Sequence, residues 1–288
     1  MDTHHHDHTL CRTDKLPREL RPGVFWLGDC LEQKARGKTY HSYNAAFLVV
    51  GTEASCLIET GHPKDFPIID RQMTELLGDG KRPPLRHLFL THEETPHSGG
   101  LGRVLQRYPG VLVHGDVSDY HLAFPQYADM LRPMNEGDEI DLGGRRLRAV
   151  EPVIRDLRTT WWAFETAERV LFPGDGFAYS HYHQDGHCGL FAEEADTLDL
   201  GDVSAVFAEK ALFWTKFADM RPYIDRLYAQ LEQLDVAFIA PTHGLPISDV
   251  RRTVPRVMEG LLYGSEAPMT EIGDMHGGGR PAGRVAAE

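Results

Sequence analysis

Residues 88–100 read Leu88-Phe89-Leu90-Thr91-His92-Glu93-Glu94-Thr95-Pro96-His97-Ser98-Gly99-Gly100. An apolar run stops abruptly at a polar cluster, and a Gly pair follows. Buried strands of α/β proteins run out of hydrophobic residues at their ends, and the loops there carry chemistry. His92, Glu94 and His97 fall within six residues. Imidazole and carboxylate are ordinary ligands of zinc, iron and manganese, so these three can converge on one cation. A solvated loop that happens to be His-rich is the plain alternative. The rest of the chain decides between them.

Working outward, short apolar runs predict strands at 24–27, 45–50, 54–58, 85–90 and 111–113. Phe66, Ile69, Met73, Leu76 and Leu77 have helical spacing. Leu101, Val104 and Leu105 suggest a helix starting near Ser98, which can cap it. Segments 139–142 and 145–150 flank Gly143-Gly144 as a hairpin, and 161–164 with 169–172 form the next strand pair. Helical patterns cover 203–214, 220–233 and 249–262, with a strand at 236–240 between the last two. Strands closed by helices, twice over, predict an α/β chain folded as a layered αββα sandwich. The folded domain is expected at 19–265, with disordered tails at 1–18 and 266–288. The first tail holds His4-His5-His6-Asp7-His8, which lacks apolar periodicity and reads as an adventitious metal binder.

Composition narrows the function. The chain has 288 residues, 41% hydrophobic and 25% charged, with a net charge of −13. That balance argues against nucleic acid or an anionic membrane as partner, since both select basic surfaces. The four Cys (Cys11, Cys30, Cys56, Cys188) form no C-x-x-C pair and fit a reducing compartment. No apolar leader and no apolar run of 18 residues is present. A cytoplasmic protein acting on a small molecule is expected, and a homodimer is left open.

Two other predicted strands end in candidate ligands. Leu171-Phe172-Pro173-Gly174 leads into Asp175, and Ala240-Pro241-Thr242 leads into His243. Alone, Asp175 is a turn carboxylate and His243 a satisfied polar residue. Sharing one strand-end context with His92, Glu94 and His97 makes coincidence a poor explanation. The loop His181-Tyr182-His183-Gln184-Asp185-Gly186-His187-Cys188 could overhang the site. Within it His183, with Tyr179 just before, is a candidate proton donor or substrate contact. Trp161, Trp162, Phe177 and Tyr179 either line a pocket or belong to the core.

This pattern resembles the metallo-β-lactamase superfamily, whose hallmark is H-x-[HE]-x-D-H, followed by a lone Asp and a late His before Gly. His92-Glu93-Glu94-Thr95-Pro96-His97 matches it except at Pro96. Pro173-Gly174-Asp175 and Thr242-His243-Gly244 resemble the later motifs, and Leu57-Ile58-Glu59-Thr60-Gly61 resembles the early L-I-D-T-G turn. Glu94, His97-Ser98-Gly99 and His41-Ser42-Tyr43-Asn44 are most similar to the flavodiiron and oxygen-binding diiron branch. The resemblance implies two metal ions, iron foremost with zinc or manganese as alternatives, and the carboxylate favours iron or manganese over zinc. One would be held by His92, Glu94, a middle ligand and Asp175. The other would be held by His97, Asp175 and His243, with Asp175 bridging. The middle ligand is Asp156 or, as runner-up, Glu151; Asp156 could equally be an ion-pair partner of Arg155 or Arg158. Pro96 offers no donor where the family has an Asp. The resemblance implies an O2-dependent oxygenase or oxidase. A hydrolase of a lactone, thioester or ester is the alternative, and an O2 sensor a further one. No flavodoxin-like domain follows, so no FMN is expected in this chain, and electrons would come from an external donor or the substrate.

Overall fold

The structure, a computed structural model, describes residues 15–266. The His-rich run and almost all of both expected tails lie outside them. Residues 15–18, assigned to the first tail by the sequence reading, are described: Leu16 is buried and Arg18 opens the first strand.

In chain order the elements are β1 (Arg18–Arg21), β2 (Val24–Leu27), β3 (Cys30–Ala35), β4 (Lys38–Tyr43), β5 (Ala46–Val50), β6 (Ser55–Ile58), α1 (Phe66–Leu77), β7 (Leu85–Phe89), α2 (Thr95–Ser98), α3 (Leu101–Arg107), β8 (Leu112–Gly115), α4 (Tyr120–Ala123), β9 (Leu131–Pro133), β10 (Glu139–Asp141), β11 (Arg146–Val150), β12 (Trp162–Glu165), β13 (Val170–Phe172), α5 (Leu200–Ala211), α6 (Arg221–Gln233), β14 (Phe238–Ile239) and α7 (Val250–Glu266). They form a seven-stranded sheet, β1-β2-β5-β6-β7-β8-β9, a five-stranded sheet, β10-β11-β12-β13-β14, and the separate β3-β4 hairpin.

Period-two alternation builds the layers. Along β5, Phe47 and Val49 face the five-stranded sheet, where the Phe47 and Phe172 rings meet at 5.2 Å. Ala46 and Leu48 point the other way, onto Ile69 and Met73 of α1 and Val104 of α3. On the far side, Val203 and Val206 of α5, Leu227 of α6 and Val254 and Val257 of α7 join the inter-sheet core. The result is the expected αββα order. The Gly143-Gly144 turn takes φ of 77° and 73°, the left-handed pair a two-residue hairpin loop requires.

The helix expected from Ser98 is instead two short ones. Gly100 N–H donates to Thr60 Oγ1 at 2.9 Å, and a Cβ on Gly100 would meet Thr60 O at 2.8 Å. The Gly pair thus lets the chain press against the end of β6, which interrupts the helix. β6 runs parallel to β7, and β13 parallel to β14. Each pair therefore sends its two C-terminal ends to one edge, carrying Glu59 and His92 from the first pair and Asp175 and His243 from the second.

Candidate metal centre

His92, Glu94, His97 and Asp175 place ligand atoms all within 4.8 Å of one another. His92 Nε2 lies 3.2 Å from Asp156 Oδ2. Asp175 Oδ1 sits 3.3 Å from His97 Nε2 and 3.4 Å from His243 Nε2. The structure therefore brings together all six residues singled out as ligands. Glu151 is elsewhere, with its carboxylate 3.9 Å from Arg155. Asp156 is not ion-paired to Arg155 or Arg158 among the described residues; it accepts from Thr160 Oγ1 at 3.0 Å and turns its other oxygen to His92.

The three imidazoles are held alike. His97 Nδ1–H donates to Glu59 Oε1 at 3.0 Å, and His243 Nδ1–H donates to the Tyr43 carbonyl. Thr91 gives its hydroxyl proton to Glu59, so it accepts from His92 Nδ1–H at 3.0 Å. Each ring thus spends Nδ1 on an acceptor and leaves Nε2 for the centre, the arrangement that fixes tautomer and orientation in metal-binding histidines. His92 Nε2, His97 Nε2, Asp156 Oδ2 and Asp175 Oδ1 are buried and have no aligned hydrogen-bond partner among the described residues. Buried polar atoms are normally satisfied. Four orphans converging on one point fit a cation, and the imidazole–carboxylate donor set fits iron, manganese or zinc.

The charge state without metal agrees. Burial alone would push His97 down, but Glu59 and Asp175 outweigh it and raise it to about 10. Burial would raise Asp175, yet His243, His97 and His92 hold it well below the usual carboxylate range. Burial lowers His92, helped by His97, and it lowers His243 to about 4. Burial raises Glu94, with Asp156 and Asp175 adding to it. The His97 imidazolium, set between Glu59 and Asp175, puts positive charge where a cation would sit. Glu94 is the exposed member of the cluster and marks the solvent side.

Glu59 stands in the sequence where the L-I-D-T-G turn has Asp, with no ligand role expected. It is fully buried, adopts φ of 63°, and accepts from Thr91 and His97. A left-handed non-Gly residue is costly and tends to be held where function requires it. The signal was its place at a strand end, before Thr60-Gly61. Gly174 is also left-handed, φ 53°, and a Cβ there would meet Thr91 Oγ1 at 2.8 Å.

Two expectations change. His183 does not join this centre: its Nδ1 lies 3.3 Å from Cys188 Sγ and its ring stacks on His41 at 4.1 Å. The 181–188 loop pairs with β4 through a His41–His181 bridge, which carries His183 toward the β3-β4 hairpin. Tyr179 is buried, and its hydroxyl donates to Leu245 O at 2.6 Å beneath the His243-Gly244 turn. Trp162 and Phe177 are core residues. A cavity of about 230 Å³ lies beside the motif, lined by Glu93, Ser98, Tyr120, Phe124 and Thr159 among others.

The metallo-beta-lactamase superfamily model matches residues 41–243, and the chain belongs to that superfamily. It is 24% identical over 241 residues to a coenzyme F420H(2) oxidase of Methanothermobacter thermautotrophicus, covering 78% of this chain and 56% of that protein. It is 28% identical over 250 residues to type A flavoprotein fprA of Rhodobacter capsulatus, covering 79% and 52%. The chain spans about half the length of these curated relatives. Rubredoxin oxygen:oxidoreductase from Desulfovibrio gigas superposes with a TM-score of 0.66 at 16% identity, over 87% of this chain and 62% of that one. No helix among the described residues is long and apolar enough to cross a membrane.

Proposed function

We propose that this chain is a dinuclear iron oxidoreductase that passes electrons from an external donor or a small-molecule substrate to O2. The observation that carries the reading is the carboxylate-rich half of the cluster. His92, Glu94, Asp156 and Asp175 would hold one iron, and His97, Asp175 and His243 the other. Three carboxylates around one cation make a hard site, which favours iron or manganese over zinc. Bound iron would supply the one-electron chemistry that O2 requires. The names of the relatives, oxidases and flavoproteins, agree with this reading.

The chain's own residues orient and gate. Glu59, Thr91 and the Tyr43 carbonyl hold the three rings with Nε2 inward. Glu94 stands on the open side, where O2 and a small molecule enter. The adjacent cavity, with Tyr120 and Phe124 on its wall, offers a small molecule a seat near Glu93. Pro96 leaves the second cation without a carboxylate at the position where hydrolases of this fold orient water, which disfavours hydrolysis.

The test is O2 uptake by the iron-loaded full chain supplied with a reduced flavin or deazaflavin. Uptake above that of the metal-stripped chain, lost in Asp175→Asn, is expected. Zinc-supported turnover of a lactone or thioester without O2 uptake would refute the proposal.

A further inference from the structure

A second cluster of ligand-type side chains lies beyond His243, joined to it by β4. Cys30 on β3, His41 on β4, and His181, His183 and Cys188 of the following loop converge there. Cys30 Sγ is 3.6 Å from Cys188 Sγ and 3.5 Å from His181 Nε2, and His181 Nε2 is 3.3 Å from Cys188 Sγ. A tetrahedral zinc with ordinary bond lengths sets sulfurs about 3.8 Å apart and sulfur from nitrogen about 3.6 Å. The three observed edges match that triangle within a few tenths of an ångström. His41 Nδ1 approaches Cys30 Sγ at 3.0 Å and His183 Nδ1 approaches Cys188 Sγ at 3.3 Å. His181 and Cys188 are buried, whereas Cys30, His41 and His183 are half-buried, so the cluster has a solvent side for metal entry.

We propose that Cys30, Cys188 and His181, with His41 or His183 in the fourth position, bind a thiophilic divalent cation, zinc foremost. The donor set differs in kind from the carboxylate-rich centre. Two sulfurs and imidazole select zinc, while carboxylates select iron, so one chain can sort two metals. The cation closes a long-range connection, because Cys30 and His181 are 151 residues apart. It fastens the β3-β4 hairpin to the 181–188 loop. Tyr43 ends β4: its ring stacks on His181 at 5.4 Å, its hydroxyl accepts from Gly189 N–H at 2.7 Å, and its carbonyl accepts from His243 Nδ1–H. The cation thereby steadies the acceptor that aims His243. This proposal stands whether or not the other centre holds iron.

Cobalt(II) is the probe. The metal-stripped chain titrated with cobalt under argon should develop a near-ultraviolet thiolate-to-cobalt charge-transfer band, which one equivalent of zinc abolishes. Cys30→Ser and Cys188→Ser should each lose the band and one equivalent of bound metal; His92→Ala should keep the band. Because the serine variants could misfold, the wild type carries a second readout: zinc should slow alkylation of Cys30 and Cys188 at least tenfold, mapped by mass spectrometry. The absence of a charge-transfer band, a band that survives both serine variants, no protection by zinc, or a Cys30–Cys188 disulfide in protein kept under argon would each overturn the proposal.

Discussion

Replacing Glu59 with Gln keeps the side-chain volume and removes one buried charge from beneath the centre. The native carboxylate accepts from Thr91 N–H at 3.3 Å, from the Thr91 hydroxyl, from His97 Nδ1 at 3.0 Å and from the Thr242 hydroxyl at 3.4 Å. A glutamine has one accepting oxygen, and its NH2 group must face at least one of these donors. Loss of a partner that orients a ligating histidine typically costs 10–100-fold in metal affinity, about 1.4–2.8 kcal/mol. The loss should fall on the cation held by His97. Proton counting gives a second signature. Glu59 and Asp175 raise His97 to about 10, so near neutrality the metal-free native ring is charged and must release a proton when metal binds. Without Glu59 that elevation shrinks, and less than one proton should be released. Calorimetric titration of the stripped chain with Fe(II) under argon, in buffers of different ionisation enthalpy, measures both quantities, with circular dichroism as the control for fold. Affinity within threefold of wild type together with unchanged proton release would refute the orienting role of Glu59.

Further outcomes follow from single contacts. Asp156→Ala should weaken the first cation at least tenfold by removing a carboxylate that faces His92 at 3.2 Å; unchanged metal content in a titration would return Asp156 to a merely polar role. Tyr179→Phe should lower stability in denaturant melts by about 1–3 kcal/mol, because the buried Leu245 carbonyl loses its donor, and should leave metal affinity intact; a large fall in O2 turnover at full metal loading would instead make Tyr179 a proton donor. Burial, with His87 and Arg132 adding to it, lowers His114 to about 3. The unfolded chain therefore takes up a proton below pH 6.5 that the native state refuses. Stability falls with pH through that window, by about 2 kcal/mol between pH 6.5 and 5 from this group. His114→Asn should flatten that slope in melts followed across pH, and an unchanged slope would count against the assignment. Gly174→Ala should reduce metal loading, since its Cβ would press on Thr91 while the backbone holds φ of 53°.

The sheets and most of the candidate ligands were legible because each depends on local pattern. An apolar run that stops at His92, at Asp175 or at His243 states both the strand and its functional end. The β3-β4 hairpin was missed because Cys30 to Tyr43 mixes charged and polar residues, and its contacts are with distant parts of the chain, such as Arg36 with Asp202 and Glu209 and Tyr43 with Trp26. The His41–His181 pairing moved His183 away from the centre, and no sequence pattern links Cys30 to a residue 158 positions on. The sequence put Asp156 ahead of Glu151 without excluding either, since both follow β11; the path of the chain after Val150 turns the first toward His92 and leaves the second outside. Glu59 was hidden for another reason. Its role rests on a left-handed backbone and on hydrogen bonds from a neighbouring strand end, neither of which a short motif encodes.

The proposed function requires a pair of irons bridged by Asp175. Mössbauer and electron paramagnetic resonance spectra of 57Fe-loaded protein, prepared under argon and then exposed to air, test it most directly. Two irons per chain, magnetically coupled, with the coupling lost in Asp175→Asn, are predicted. A single uncoupled iron, or a centre that takes up zinc and excludes iron when both are offered, would contradict it.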